Sequence, residues 1–387
     1  MNEMMLKDQQ YIASTYKRFP LEIVSGKGSL VYGADGKEYI DMGSGIAVTS
    51  FGIADDEWQA AVTAQLATLQ HMSNLYYTDP CIRLAELLCQ KTGMSNVFFS
   101  NSGAEANECA IKAARKYSAE KHGPDCYTVV TLKNSFHGRT LTTLAATGQE
   151  HYHELFRPLT PGFAHVAAGN MEELEALART TKIAAVMIEC IQGEGGVVPL
   201  PQEYASAVQR FTEAHDIPLV VDEVQTGNGR TGALYAYMRY GLRPNIVSTA
   251  KGLAGGLPLG ATMLDEKLQG VFSYGDHGST FGGNPVCSAG AYSIHSRLTD
   301  DFLKKVAAKG EYLTNAFTGA PGIREVTGMG LMLGLATEKP AAQVVADCMA
   351  AGVLCLTAKD KVRLLPALNI PCDLLEKAAA VILEAAR

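Results

Sequence analysis

From Asn96 onward the chain alternates short apolar runs with helical stretches, and few architectures tolerate that rhythm. The runs lie at 97–100, 127–132, 183–189, 219–222, 246–249 and 259–263. Each is too short for a buried helix and too uniformly apolar for a strand with one wet face. Strands of this kind separated by helices predict an α/β fold, a mostly parallel sheet covered by helices on both faces. The flanks read differently. Short strands at 21–24, 30–32 and 38–41 are divided by Gly26, Gly28, Gly33 and Asp35-Gly36, and helical patterns cover 57–69 and 80–92. After Asn284 come helices at 289–297 and 302–317, then strands at 331–335 and 362–365. The expected division is a large domain over 51–285 and a smaller α+β domain built from 1–50 and 286–387.

The 387 residues suffice for two such cores. A net charge of −7 argues against nucleic-acid or acidic-membrane partners. No apolar run approaches the ~20 residues of a membrane span, so no membrane is expected. Residues 1–16 lack the apolar segment of a secretory leader, and a cytoplasmic location is the expectation. The nine cysteines form no Cys-x-x-Cys pair and read as reduced thiols. His151-Tyr152-His153-Glu154 is the densest grouping of metal-ligand types, but its spacing is not diagnostic and no metal is expected.

Three positions carry candidate chemistry. Lys251 ends a buried run and is followed by Gly252-Leu253-Ala254-Gly255-Gly256, a setting that suits an amine with a pKa lowered by desolvation. Asp222 ends the run at 219–222, where open α/β sheets place ligands, with Gln225 three residues on. A buried carboxylate there needs a cationic or hydrogen-bonding partner; a protonated pyridine nitrogen would serve, and so would turn amides. Ser102 and Glu105 have capping-box spacing at the start of a helix that follows a strand, an end that suits a phosphate. Gly103 would let a ligand approach the backbone closely. Gly227-Asn228-Gly229-Arg230-Thr231-Gly232 is a literal G-x-G-x-x-G, but no acidic residue lies between Ala233 and Leu264 to hold a ribose. It is a connector, not a dinucleotide loop.

In order along nearly the whole chain stand Gly45-Ile46-Ala47-Val48, Ser73-Asn74-Leu75-Tyr76-Tyr77, Asn101-Ser102-Gly103-Ala104-Glu105-Ala106-Asn107 and Phe136-His137-Gly138-Arg139-Thr140. Ile191-Gln192-Gly193-Glu194-Gly195-Gly196, Asp222-Glu223-Val224-Gln225-Thr226-Gly227, Ala250-Lys251-Gly252-Leu253 and Gly278-Ser279-Thr280-Phe281-Gly282-Gly283-Asn284-Pro285 follow. This series resembles the class-III aminotransferases, fold-type I enzymes that use pyridoxal 5′-phosphate, and within them the acetylornithine group of arginine biosynthesis. The resemblance implies that Lys251 carries the cofactor as a Schiff base and shuttles the proton, while Asp222 pairs with the pyridine nitrogen. Gln225 would bond the ring oxygen, Phe136 and Val224 would flank the ring, and Ser102, Gly103 and Ala104 would hold the phosphate. Thr280 would complete the phosphate site of a neighbouring subunit, with Ser279 near substrate, which implies a homodimer with shared active sites.

The same resemblance implies two alternating substrates, an acylated diamino acid and 2-oxoglutarate. Arg139 would take the distal carboxylate of both, Arg363 the α-carboxylate of the acceptor, and Glu194 would neutralise Arg363 when the donor is bound. By the same resemblance ornithine aminotransferases have a tyrosine near Ile46, where this chain has Gly-Ile-Ala-Val as the acetylornithine enzymes do, so acetylornithine is the expected donor. Succinylornithine, succinyl-diaminopimelate and ornithine remain alternatives, as does an aminomutase of the same fold. Gly52-Ile53-Ala54-Asp55-Asp56 replaces the family's usual Gly-His-x-His-Pro, near the expected substrate entrance. Cys190 and Asn245 replace a common Pro and Asp.

Overall fold

A computed structural model describes residues 3–387. Its centre is a seven-stranded sheet in the order Asn96–Ser100, Gly260–Leu264, Ile246–Thr249, Leu219–Asp222, Ile183–Ile188, Thr128–Leu132, Phe163–Val166. The last five pair in parallel. Gly260–Leu264 runs antiparallel to both its neighbours, so the sheet is mostly parallel with one reversed strand.

Every residue of Ile183–Ile188, Leu219–Asp222 and Ile246–Thr249 is buried, as continuous apolar runs require. Successive side chains divide between two cores, following the strand's period of two. Val186, Ile188, Leu219, Val221 and Val247 join the larger core. Ala185, Met187, Val220 and Ile246 join a second, packed against Ala110, Ile111 and Ala114 of helix Gly103–His122. Each such aliphatic side chain contributes about 1.5–3 kcal/mol by leaving water. Val220→Asp would break the second core by burying an unpaired charge.

Both chain ends contribute to a smaller region. Ile23–Lys27, Leu30–Gly33 and Glu38–Asp41 form an antiparallel sheet, and Val353–Leu354 joins its edge in parallel. A second four-stranded sheet is ordered Ile323–Met329, Met332–Thr337, Lys361–Leu364, Leu356–Ala358. The first of these strands is not legible in the sequence, because Ile-Arg-Glu-Val-Thr-Gly-Met shows no clean alternation. Helix Pro285–Arg297 starts four residues before its apolar pattern does. The side chain of Asn284 accepts from the amides of Val286 (3.0 Å) and Cys287 (3.2 Å), and Pro285 needs no partner there.

The glycine-rich segment 227–232 links the two regions. The Arg230 side chain is buried and donates to the carbonyls of Leu331 (3.1 Å) and Pro366, while Leu331 N donates back to Arg230 O at 3.0 Å. Gly232 is required by proximity: a Cβ would sit 2.8 Å from that of Ala307, at a φ of +81°.

Among the described residues no helix is long and apolar enough to cross a membrane, and no group of three or more His, Cys, Asp or Glu is arranged to hold a metal. His153 spends its Nε2 on the carbonyls of Leu144 and Thr147.

Candidate active site

A cavity of about 500 Å³ opens at the carboxyl ends of the parallel strands. Asp222 ends one strand, its neighbour Ser248 lies in the adjacent one, Lys251 follows two residues beyond that, and Ser102 follows Asn96–Ser100.

The floor is a fully engaged carboxylate. Asp222 Oδ2 accepts from Asn107 Nδ2 and from His137 Nδ1, both at 2.8 Å, and Oδ1 accepts from Val224 N at 2.9 Å. Asn107 Nδ2 also donates to His137 O at 2.7 Å, and Ser248 Oγ donates to Asn107 Oδ1 at 2.5 Å. His137 Nδ1 must carry the proton that reaches the carboxylate, which leaves Nε2 buried and, among the described residues, without a partner. Beside them Glu189 accepts from Phe136 N (2.9 Å) and Gly193 N (3.4 Å). Burial pushes its carboxyl up to about 7. Asn107, His137 and Glu189 carry no role in the sequence reading, although the first two lie inside its quoted blocks.

At the phosphate-like end, Ser102 Oγ accepts from Glu105 N at 3.2 Å. The reciprocal half of the capping box goes one residue further back, with Glu105 Oε2 accepting from Asn101 N at 2.6 Å. The reason for Gly103 also differs from expectation. A Cβ there would lie 2.7 Å from Val224 Cγ1, so the glycine makes room for a wall of the cavity and not only for a ligand. Gly103 and Ala104 open the helix, where amides have no intrahelical acceptor.

Phe136, Val224 and Arg139 line the sides. Arg139 is exposed, its guanidinium 5.0 Å from the Tyr152 ring centre and 5.7 Å from that of Phe136. Lys251 lines the cavity in a left-handed conformation (φ +47°), which costs about 1–2 kcal/mol for a residue with a Cβ. Burial lowers its pKa, and the charges of Glu194 and Asp222 oppose that.

Above lies a second charged group. Arg363 is buried on Lys361–Leu364, with NH1 2.5 Å from Glu194 Oε1 and 3.1 Å from Gln225 Oε1. Its Nε is buried with no partner among the described residues. Gln225 Nε2 also donates to Glu194 Oε1 at 3.2 Å, so the amide expected at a ring oxygen is held by the Arg363–Glu194 pair. Burial pushes the Glu194 carboxyl up, and Arg363 more than reverses this, leaving it below its usual range.

Glu194 and Arg363 are not among the residues that line the cavity but reach it through Gln225; Ser279, Thr280 and Ile46 do not line it either. Ser279 and Thr280 line a neighbouring cleft with Asn74 and Leu75. Ser279 Oγ accepts from Asn101 Nδ2 at 3.1 Å, which ties that cleft to the cavity. Ile46 lines a separate apolar cavity with Phe19 and Leu21, while Val48 reaches the main one. Residues 53–56 do not line the cavity itself. Asp55 caps helix Asp56–Thr68, accepting from Trp58 N at 3.0 Å, and pairs with Arg297 at 2.7 Å. Asn245 joins two strands, accepting from Leu219 N and donating to Asp265 Oδ2.

Known proteins are similar to this chain in sequence and fold. The sequence pattern of the class-III aminotransferases matches residues 11–386. An acetylornithine aminotransferase of Haemophilus ducreyi is 48% identical over 377 residues, covering 97% of this chain and 96% of its own. One from Methanocaldococcus jannaschii is 44% identical over 94% of this chain and 92% of its own. Among solved structures, N-acetylornithine aminotransferase from Stenotrophomonas maltophilia superposes with a TM-score of 0.85 at 31% identity, over 98% of both chains. An ornithine aminotransferase of Toxoplasma gondii, with pyridoxal phosphate at partial occupancy in its active site, superposes with a TM-score of 0.94 at 29% identity, over 99% of this chain and 93% of that one. With its fold, its lysine-bearing cavity and its sequence matched from end to end, the chain belongs to the class-III aminotransferases.

Proposed function

We propose that this enzyme moves the terminal amino group of N-acetylornithine to 2-oxoglutarate, giving N-acetylglutamate 5-semialdehyde and glutamate. The observation that carries the two-substrate reading is Arg363, a buried cation whose only anionic partner, among the described residues, is the partly exposed side chain of Glu194. The donor follows the names of the relatives that are 40–48% identical.

The cofactor is pyridoxal 5′-phosphate, and the cavity fits it: a buried carboxylate at one end, free helix amides at the other, and an amine between. When bound, this group withdraws electrons from the carbon that bears the amine and stores the amino group between the two half-reactions. The residues do the rest. Asp222, held by His137 and Asn107, would pair with the ring nitrogen. Lys251 Nζ, its basicity lowered by burial, would anchor the cofactor and then move a proton from the donor carbon to the cofactor, and the reverse way with the acceptor. Ser102, Gly103 and Ala104 would hold the phosphate, and Phe136 and Val224 would restrain the ring. Arg139 reaches the distal carboxylate of each substrate. Arg363 binds the α-carboxylate of 2-oxoglutarate by the paired geometry a guanidinium offers, and Glu194 covers it otherwise.

The finer assignments belong to the same reading. Residues 51–285 hold the cofactor, and 1–50 with 286–387 form the second domain. A homodimer with shared sites is supported by the exposed Thr280 and by Leu75, Tyr76, Tyr77 and Phe281, large side chains left bare beside its cleft. The enzyme works in the cytoplasm. A donor panel of acetylornithine, succinylornithine, ornithine, 4-aminobutyrate and succinyl-diaminopimelate, with 2-oxoglutarate as acceptor, tests the assignment. Acetylornithine should give the highest kcat/KM; a higher value for another donor would overturn the choice. Failure of 2-oxoglutarate to accept from any donor would favour the aminomutase. Light scattering should return twice the chain mass.

A further inference from the structure

Lys251 sits in a left-handed turn that its own sequence does not favour, so something around it must hold that turn. The preceding carbonyl, Ala250 O, accepts from Asn228 Nδ2 at 2.9 Å and from Leu253 N at 2.9 Å. The following carbonyl, Gly252 O, accepts from Ser50 Oγ at 3.1 Å. Asn228 is buried, itself left-handed at φ +57°, and comes from the connector at 227–232. Its Nδ2 also lies 3.0 Å from Thr249 Oγ1.

The orientation of this amide is determined by chemistry. Ala250 O can only accept, so Nδ2 faces it and Oδ1 faces the other way. Oδ1 lies 3.1 Å from His295 Nε2 and 3.2 Å from Thr249 Oγ1, so Nε2 must carry a proton. His295 is fully buried on helix Pro285–Arg297, and its Nδ1 has no partner among the described residues. Burial, aided by the charge of Lys91, pulls its pKa down to about 3, so it is the neutral Nε2–H form that donates. Lys91 Nζ fixes that end of the helix through His295 O (2.6 Å) and Leu298 O (2.8 Å).

We propose that Asn228 is a positioning residue for Lys251, a buried amide oriented by His295 that clamps the left-handed turn and aims Nζ into the cavity. The proposal rests on Lys251 being the cofactor-bearing amine. It assigns work to a loop that resembles a nucleotide-binding motif and touches no ligand.

The test uses the pyridoxal-phosphate holoenzyme. Its visible absorbance, which reports the Lys251 linkage, is titrated with pH beside steady-state kinetics and thermal melting. Asn228→Leu keeps the volume and removes the amide. Its kcat should fall by about 10²-fold, the cost of a misplaced catalytic group, with KM for 2-oxoglutarate little changed. The absorbance midpoint should rise by about one pH unit as water reaches a loosened Nζ. If Asn228→Leu does not fold, His295→Leu should move the midpoint the same way, and His295→Gln, which retains an N–H donor, should move it less. Variants that melt early but keep the wild-type midpoint and kcat would overturn the proposal, leaving Asn228 a core residue only. A wild-type protein without the absorbance would instead defeat the cofactor reading beneath it.

Discussion

The floor of the cavity and its rim both hold buried charge, and they treat it in opposite ways. At the floor Asp222 has its hydrogen bonds supplied by His137, Asn107 and the Val224 amide, and those partners are themselves held by Ser248 and Thr147. At the rim Arg363 leans on a Glu194 side chain that is 26% exposed, shares Gln225, and leaves Nε unmatched. Each network leaves one buried nitrogen unmatched, but a carboxylate held by three buried donors stays in place, whereas a buried cation with one partly exposed partner can change company at lower cost. The difference suits a reaction in which the cofactor stays and the substrates alternate.

Substitutions can break that comparison. The largest effect is expected at Lys251, the proposed amine for both halves of the reaction: Lys251→Ala should lower turnover by at least about 10⁴-fold while folding normally, measured as glutamate formed. Asp222→Asn removes the floor's charge and should lower kcat by about 10²–10³-fold, equally in the donor and acceptor half-reactions followed by stopped flow. Unequal loss would mean that the floor, too, discriminates between substrates. Arg363→Leu should divide the halves: KM for 2-oxoglutarate should rise about 10–100-fold, while the donor half-reaction changes little.

The smallest effect lies beneath the floor, in stability. Burial raises the Glu223 carboxyl to about 7, opposed by bonds from Thr226 Oγ1 (2.6 Å) and Tyr237 N (2.7 Å). A folded pKa above the unfolded one means the native state holds a proton that the unfolded chain releases. The resulting stability is full below about 4.5 and is lost as pH rises through about 7. Glu223→Gln, which mimics the protonated acid, should flatten the decline of Tm between about pH 5 and about pH 8 by a few degrees. An unchanged slope would show that Glu223 is charged in the native state.

Six of the seven strands were legible because burial on both faces leaves an uninterrupted apolar run, a signal contained within one strand; the edge strand Phe163–Val166, only partly buried, was not. Lys251, Asp222 and Ser102 were legible for a related reason, since each ends such a run. The support around them was not. Asn107 and His137 meet Asp222 across 115 and 85 residues of chain, and nothing in their own neighbourhoods announces that meeting. Gln225 shows the limit of assigning one partner to one side chain: its position was legible, its hold on Arg363 and Glu194 was not. Residues 53–56 depart from the family pattern in sequence, yet Asp55 does ordinary structural work as a helix cap and a partner for Arg297.

The connector at 227–232 also bears on how this protein can be altered. Three glycines in six residues mark it, on paper, as a natural place to splice in a tag or open new termini. Residues 227–231 are buried, and their hydrogen bonds reach Lys251's turn on one side and the C-terminal sheet on the other. Tolerance of insertion follows from exposure and free backbone, not from glycine content. A graft here would sever the seam between the two halves of the molecule and disturb the turn that carries Lys251 in one stroke.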